Sequence, residues 1–221
     1  MILFDDLVSD EVLELARREA KRILVGKRAG RPSCQQSEIN DLMVTLAKAG
    51  RRVIRLKSGD PMVFGRADEE MAALDAHNIP HDVVPGITAG LALATSLKTS
   101  LTHREAAKSV RFVTGHSKAG GLPEDLDWRA VADPSATTVF YMGAKLAGEI
   151  AARLIAYGLA PDTPVALGEV LGRPVERVQI VTLATLAEAA ARRDPAQPVV
   201  IAVGQVFRLA AEAARQQARA A

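Results

Sequence analysis

Val53-Ile54-Arg55-Leu56-Lys57-Ser58-Gly59-Asp60-Pro61-Met62-Val63-Phe64-Gly65 is the stretch that decides the fold. Val53, Ile54 and Leu56 are apolar and partly β-branched, which predicts a short buried strand over 53–56. Gly59 lets the backbone turn or lie close to a ligand, and Pro61 blocks extension of the strand. Asp60 accepts hydrogen bonds and tolerates turn geometry. A helix is expected from about Arg66. Ser-Gly-Asp-Pro alone is also an ordinary strand-to-helix turn. In an open α/β sheet, however, the loop at a strand's carboxyl end is where ligands bind.

The same alternation extends in both directions. Upstream, Ile2-Leu3-Phe4 and Ile23-Leu24-Val25 read as strands. Ser9-Asp10-Glu11 resembles a helix start, placing Val12, Leu13, Leu15 and Ala16 on one face. Ile39, Leu42, Met43 and Leu46 repeat at helical spacing, and Gly50 closes that helix. Downstream, Val83-Val84 reads as a strand stopping at Pro85-Gly86-Ile87-Thr88-Ala89, before a helix through Leu91, Leu93 and Ala94. Alternating strands and helices predict a parallel sheet with crossover helices. Leu101-Thr102-His103-Arg104 is the expected link to a second domain that repeats the scheme. Its strands are 110–114, 138–142, a hairpin of 164–167 and 177–181 around Gly172, and 198–203. Helices are expected through Leu146 to Ile155, over 183–193 and from Phe207. The expected division is 1–107 and 108–221, two α/β domains.

Composition narrows the class. The 221 residues are 48 % hydrophobic and 24 % charged, as in globular domains. A net charge of +2 is too weak to argue for nucleic acid, and no aromatic stacking platform accompanies the basic residues. The single cysteine, Cys34, excludes an intrachain disulfide framework and fits a reducing compartment. No apolar run reaches the roughly 18 residues of a membrane span. Met1-Ile2-Leu3-Phe4 meets Asp5-Asp6 at once, unlike a signal peptide. A cytoplasmic protein is expected.

Small residues follow several strands: Ser58-Gly59-Asp60, Gly86-Ile87-Thr88-Ala89, Gly115-His116 and Met142-Gly143. Such loops suggest a shared crevice that admits a ligand closely. None carries a metal signature, and the four histidines are scattered. A lone methionine such as Met142 usually belongs to a core. Lys27, Arg28, Arg31, Arg55, Lys57, Arg66, Arg104 and Lys118 lie on or beside these loops. They are either solvated surface or a lining for an anionic small molecule.

Eight collinear segments carry a family resemblance. They are Leu7-Val8-Ser9-Asp10, Val25-Gly26-Lys27-Arg28-Ala29-Gly30, Gln36-Ser37-Glu38-Ile39-Asn40, Arg55-Leu56-Lys57-Ser58-Gly59-Asp60-Pro61, Val84-Pro85-Gly86-Ile87-Thr88-Ala89, Leu101-Thr102-His103-Arg104, Val113-Thr114-Gly115-His116 and Phe140-Tyr141-Met142-Gly143. Over about 2–207 the chain resembles tetrapyrrole methylases of the uroporphyrinogen-III C-methyltransferase type. The resemblance implies two α/β domains with the active site in the cleft between them, S-adenosylmethionine as cofactor, and a homodimer. It implies methylation of uroporphyrinogen III at C2 and C7, through precorrin-1 to precorrin-2, for sirohaem or cobalamin synthesis. By the same resemblance, Asp5 matches the proton acceptor and Lys27 the proton donor. Ser58, Gly59, Asp60, Val63, Thr88, Ala89, Met142 and Leu171 match the cofactor site. Arg28, Arg66 and Arg104 are candidates for pairing with the substrate's carboxylates. No metal is implied.

The family pattern is departed from at Ser58 and Leu171, where glycine is usual, and at Pro32, where histidine is frequent. Its opening strand and Gly-Ala-Gly-Pro-Gly-Asp-Pro loop do not stand in these residues. On that ground weak cofactor binding and slow turnover are expected of the chain as written. The alternatives are a paralogue that binds tetrapyrrole or a partner without turnover, and a methylase of a later corrin precursor.

Overall fold

The computed structural model describes residues 1–26, 35–117 and 120–212. Its contacts divide the chain into two units, Met1–Thr88 and Ala89–Ala221. The division expected after residue 107 would place helix α4 (Ala89–Ser96) in the first unit. Leu93 of α4 is instead fully buried among Val139, Ala166 and Phe207, which belong to the second. Among the described residues no helix is long and apolar enough to cross a membrane.

The first unit is built on a three-stranded parallel sheet. Strand β1 (Ile2–Phe4) lies between β2 (Arg22–Leu24) and β3 (Ile54–Leu56), with Leu3 opposite both Ile23 and Arg55. Helix α2 (Gln36–Lys48) opens on a capping box in which the Gln35 N–H donates to Glu38 Oε2 at 2.6 Å. Gly50, at φ 72°, ends it. Ile39, Met43 and Val44 of α2 join Leu3, Val25 and Leu74 of α3 (Ala67–Asp75) in one core.

Three sequence expectations fail in this unit, the first at β3, which is not a buried strand: Ile54 is 49 % exposed. Helix α1 (Asp10–Glu14) ends before Leu15 and Ala16 join its face, and Leu15 is 85 % exposed. Val83-Val84 forms no strand and Val84 is 80 % exposed. Apolar, β-branched residues make a strand only where a partner supplies the hydrogen-bond ladder, and none lies beside them among the described residues.

In the second unit the sheet order is β4 (Ser109–Thr114), β5 (Ala136–Tyr141), β8 (Val199–Val203), β6 (Pro164–Glu169) and β7 (Arg177–Thr182). Among the described residues β4 and β5 pair in parallel and the other pairs of this sheet are antiparallel. The expected repeat of a parallel scheme is therefore corrected. The loop over 170–176 joins β6 to β7 as a hairpin and is too short for a crossover.

The inner strands are buried on both faces, and their period of two sorts them. Phe140, Val165, Leu167 and Ile201 pack with Ile150 and Leu154 of α6 (Ala147–Ala156) and with Leu186 of α7 (Leu186–Ala191). Trp128 of α5 (Trp128–Val131) stacks on Phe140 at 6.3 Å between ring centroids. The alternate residues Val139, Ala166 and Ala202 face Leu93 and Phe207.

Candidate functional site

The loop after β3 and the segment Pro85 to Thr88 are joined in the first unit. Gly59 adopts φ 76°, which glycine enters without the cost borne by other residues. A Cβ at Gly86 would lie 2.1 Å from the Gly59 carbonyl oxygen, so the two backbones approach as only glycine permits. Asp60 braces them: Oδ1 accepts from the Met62 N–H at 2.8 Å, and Oδ2 from the Gly86 N–H at 2.9 Å. Each oxygen retains a lone pair for a further donor. Ser58 and Gly59 are exposed, Val63 is half-buried, and Thr88 is buried at 5 %.

Asp5 follows β1, and the end of β2 presses against it: a Cβ at Gly26 would lie 3.0 Å from the Asp5 Cα. Asp5 Oδ2 stands 3.7 Å from Arg55 Nη2. Its Oδ1 is buried and has no hydrogen-bond partner among the described residues. Burial pushes the Asp5 pKa up, against the opposing pull of Arg55, Lys57 and the Leu7 N–H.

Arg55 and Lys57 are neither solvated surface nor a lining for an external anion. Their side chains are 12 % and 8 % exposed and share one buried carboxylate, Glu70. Arg55 Nε lies 3.1 Å from Glu70 Oε1, and Lys57 Nζ lies 2.9 Å from Oε2. Gln36 Nε2 donates to the same Oε1 at 3.1 Å, and Lys57 also donates to the Gly65 carbonyl. Sequence reasoning misses Glu70. The signal available to it is the spacing of two between Arg55 and Lys57, which sends both cations to one side of β3 and its exit, opposite the half-exposed Ile54.

Arg66 caps α3 in the left-handed region, φ 56°, and makes two 2.7 Å hydrogen bonds to Glu69. That pairing raises its pKa. Arg104 is exposed in the turn closed by the His103–Ala107 bridge. Lys27 and Arg28 lie outside the described residues.

Ala89, Met142 and Leu171 belong to the second unit. Ala89 and Leu171 both pack against the core around Leu93 and Phe207. The Gly90 N–H donates to Tyr141 Oη at 2.9 Å, and Met142 follows Tyr141 directly. Met142 is 55 % exposed at φ 60°, not a core residue. Val170, just before Leu171, is also left-handed at φ 53°. Strained non-glycine residues persist only where their surroundings over-determine them, and they collect at ligand clamps. Here one of them, Met142, is a position singled out in the sequence, and the other, Val170, adjoins Leu171.

Residues 1–187 match the tetrapyrrole (corrin/porphyrin) methylases. The chain belongs to that family. This tetrapyrrole methylase is 48 % identical over 210 residues to a siroheme synthase of Tolumonas auensis, which covers 95 % of the chain and 44 % of the relative. It is 47 % identical over 211 residues to siroheme synthase 1 of Yersinia enterocolitica, covering 95 % and 43 %. The chain thus spans less than half the length of these curated relatives. Among solved structures it resembles a uroporphyrin-III C-methyl transferase from Thermus thermophilus complexed with S-adenyl homocysteine. The TM-score is 0.78 at 37 % identity, over 94 % of this chain and 86 % of that one. A cobalt precorrin-4 methyltransferase, at 23 % identity and TM-score 0.79, shares the fold.

Proposed function

We propose that the protein methylates uroporphyrinogen III with S-adenosylmethionine, first at C2 and then at C7, passing through precorrin-1 to precorrin-2. The observation that carries this reading is the Asp60–Gly86 brace, which holds two glycine loops close enough for backbone-to-ligand contact. The 37 % identical Thermus thermophilus relative complexed with S-adenyl homocysteine supports it.

The residues present fit the cofactor. Exposed Ser58 and Gly59, braced Asp60, and Val63 with Thr88 offer backbone and side-chain polar groups; Ala89, Met142 and Leu171 offer apolar contact. When bound, S-adenosylmethionine supplies an electrophilic sulfonium methyl group. The chain's own task is to position the macrocycle carbon and to handle protons. Asp5, its pKa raised by burial, is the proposed acceptor of the proton that leaves the macrocycle, because a raised pKa makes a carboxylate a stronger base. Lys27 is the proposed donor. Arg28, Arg66 and Arg104 are proposed partners for the acetate and propionate groups, and Arg66 would exchange Glu69 for one of them. A homodimer in the cytoplasm, serving sirohaem synthesis as the names of its relatives suggest, completes the proposal.

Calorimetric titration with S-adenosylmethionine and with S-adenosylhomocysteine tests the cofactor assignment. Saturable binding of both is expected; no heat at millimolar ligand overturns it.

A further inference from the structure

Arg55 stands between two carboxylates and does not treat them alike. Its Nε lies 3.1 Å from Glu70 Oε1, while Nη2 lies 3.7 Å from Asp5 Oδ2. Its Nη1 donates to the Leu56 carbonyl at 2.9 Å, which fixes the plane of the guanidinium. Lys57 is likewise committed to Glu70 and to the Gly65 carbonyl. Glu70 is 4 % exposed and takes a further donor from Gln36 of α2. Two cations from β3 and its exit are thus gathered onto one carboxylate of α3, and the second carboxylate keeps a buried oxygen with no hydrogen-bond partner among the described residues.

We propose that Glu70 is a positioning residue for the proton acceptor: it holds Arg55 and Lys57 to itself and so keeps them from closing on Asp5. The inference rests on the assignment of Asp5 in the proposed function. A carboxylate clasped by a bidentate arginine is a poor base, because the charged form is stabilised. A buried carboxylate that such cations approach but do not clasp is a better one. Among the described residues the charges acting on Asp5 are Arg55 and Lys57 from β3 and its exit and Glu70 from α3; the first two lower its pKa and Glu70 raises it. Among the described residues of this cluster, Arg55 and Lys57 balance Glu70 and Asp5. Removing Glu70 alone leaves both cations to Asp5.

The test uses the full chain as Glu70→Gln and as Glu70→Gln combined with Lys57→Met. The Asp5 carboxyl is titrated by carbon-13 NMR, and the pH profile of methyl transfer to uroporphyrinogen III is measured beside it. In Glu70→Gln the Asp5 midpoint falls by about one pH unit, and the acid limb of kcat moves down with it. In the double variant, which loses one charge of each sign, the midpoint returns toward the parent value. A role confined to stability moves neither. A midpoint unchanged by Glu70→Gln, or one equally low in both variants, overturns the proposal. Should Glu70→Gln not fold, Glu70→Asp is titrated in its place: its retracted carboxylate must also lower the Asp5 midpoint, and an unchanged midpoint overturns the proposal. Shifted NMR midpoints in a protein that transfers no methyl group contradict the methyltransferase reading and leave the hold of Glu70 on Asp5 standing.

Discussion

The backbone N–H of Gly86 donates to Asp60 Oδ2 at 2.9 Å, a hydrogen bond spanning 26 positions of the chain. It ties the turn after β3 to the segment that leads into α4. Hydrogen bonds to a charged acceptor contribute about 1.5 kcal/mol at the lower end of their range, which suits an exposed site. Asp60→Ala is therefore expected to weaken S-adenosylmethionine binding by about tenfold, since 1.4 kcal/mol is one decade. Asp60→Asn, which keeps one acceptor, should lose less. Calorimetric titration of the three proteins checks the order, and equal affinities would exclude a role for the brace.

Gly86→Ala separates cofactor binding from folding. The added Cβ would sit 2.1 Å from the Gly59 carbonyl oxygen, so the loops must part. Both residues are exposed and belong to no core cluster, so the thermal midpoint should move little. Cofactor affinity should fall at least as far as in Asp60→Ala. A variant that binds like the parent would mean that the spacing of the loops is immaterial.

Met142 makes the opposite prediction for stability. A non-glycine residue in the left-handed region costs roughly 1–2 kcal/mol, and glycine recovers part of that against its larger unfolded-state entropy. Half of the side chain is in solvent, so little packing is lost. Met142→Gly should raise stability by about 0.5 kcal/mol while weakening cofactor binding. Denaturant unfolding and titration are the paired measurements; a destabilised variant contradicts the strain argument.

Asp133 gives a pH-dependent test of the second unit. Its hydrogen bonds from Arg111, at 2.8 Å, and from Ser135 lower its pKa to about 2. A carboxyl depressed by folding contributes stability above its unfolded pKa of about 3.9 and loses it as pH falls through the folded value. The pair is about 30 % exposed, so after solvent screening the contribution is about 1 kcal/mol. Asp133→Asn should be less stable than the parent at pH 7 by that amount. The gap should close between about pH 4 and pH 2. A gap independent of pH would assign the effect to packing rather than charge.

The strands and their loops are readable in the sequence because β-branched runs stop at Gly, Asp and Pro, as at Leu56 to Asp60. The hairpin of β6 and β7 is readable for the same reason, through Gly172. What is not readable depends on partners. Val83-Val84 has strand character but pairs with no strand among the described residues, and the mixed pairing of the second sheet follows from loop lengths rather than from strand composition. Arg55 and Lys57 show their shared face, and the helical spacing of Ala67, Glu70 and Leu74 puts Glu70 on the buried side of α3, yet no pattern in the sequence says that the two faces meet. Met142 reads as core because a backbone angle leaves no trace in residue type.

The measurement that bears most directly on the account is the number of methyl groups transferred. The protein is incubated anaerobically with uroporphyrinogen III and S-adenosylmethionine carrying a deuterated methyl group, and the macrocycle is weighed by mass spectrometry. Label is expected to accumulate first as one and then as two methyl groups per macrocycle, placed at C2 and C7, with no third. An unlabelled macrocycle under conditions where S-adenosylmethionine binds, or label transferred only to a later corrin precursor, would contradict that expectation.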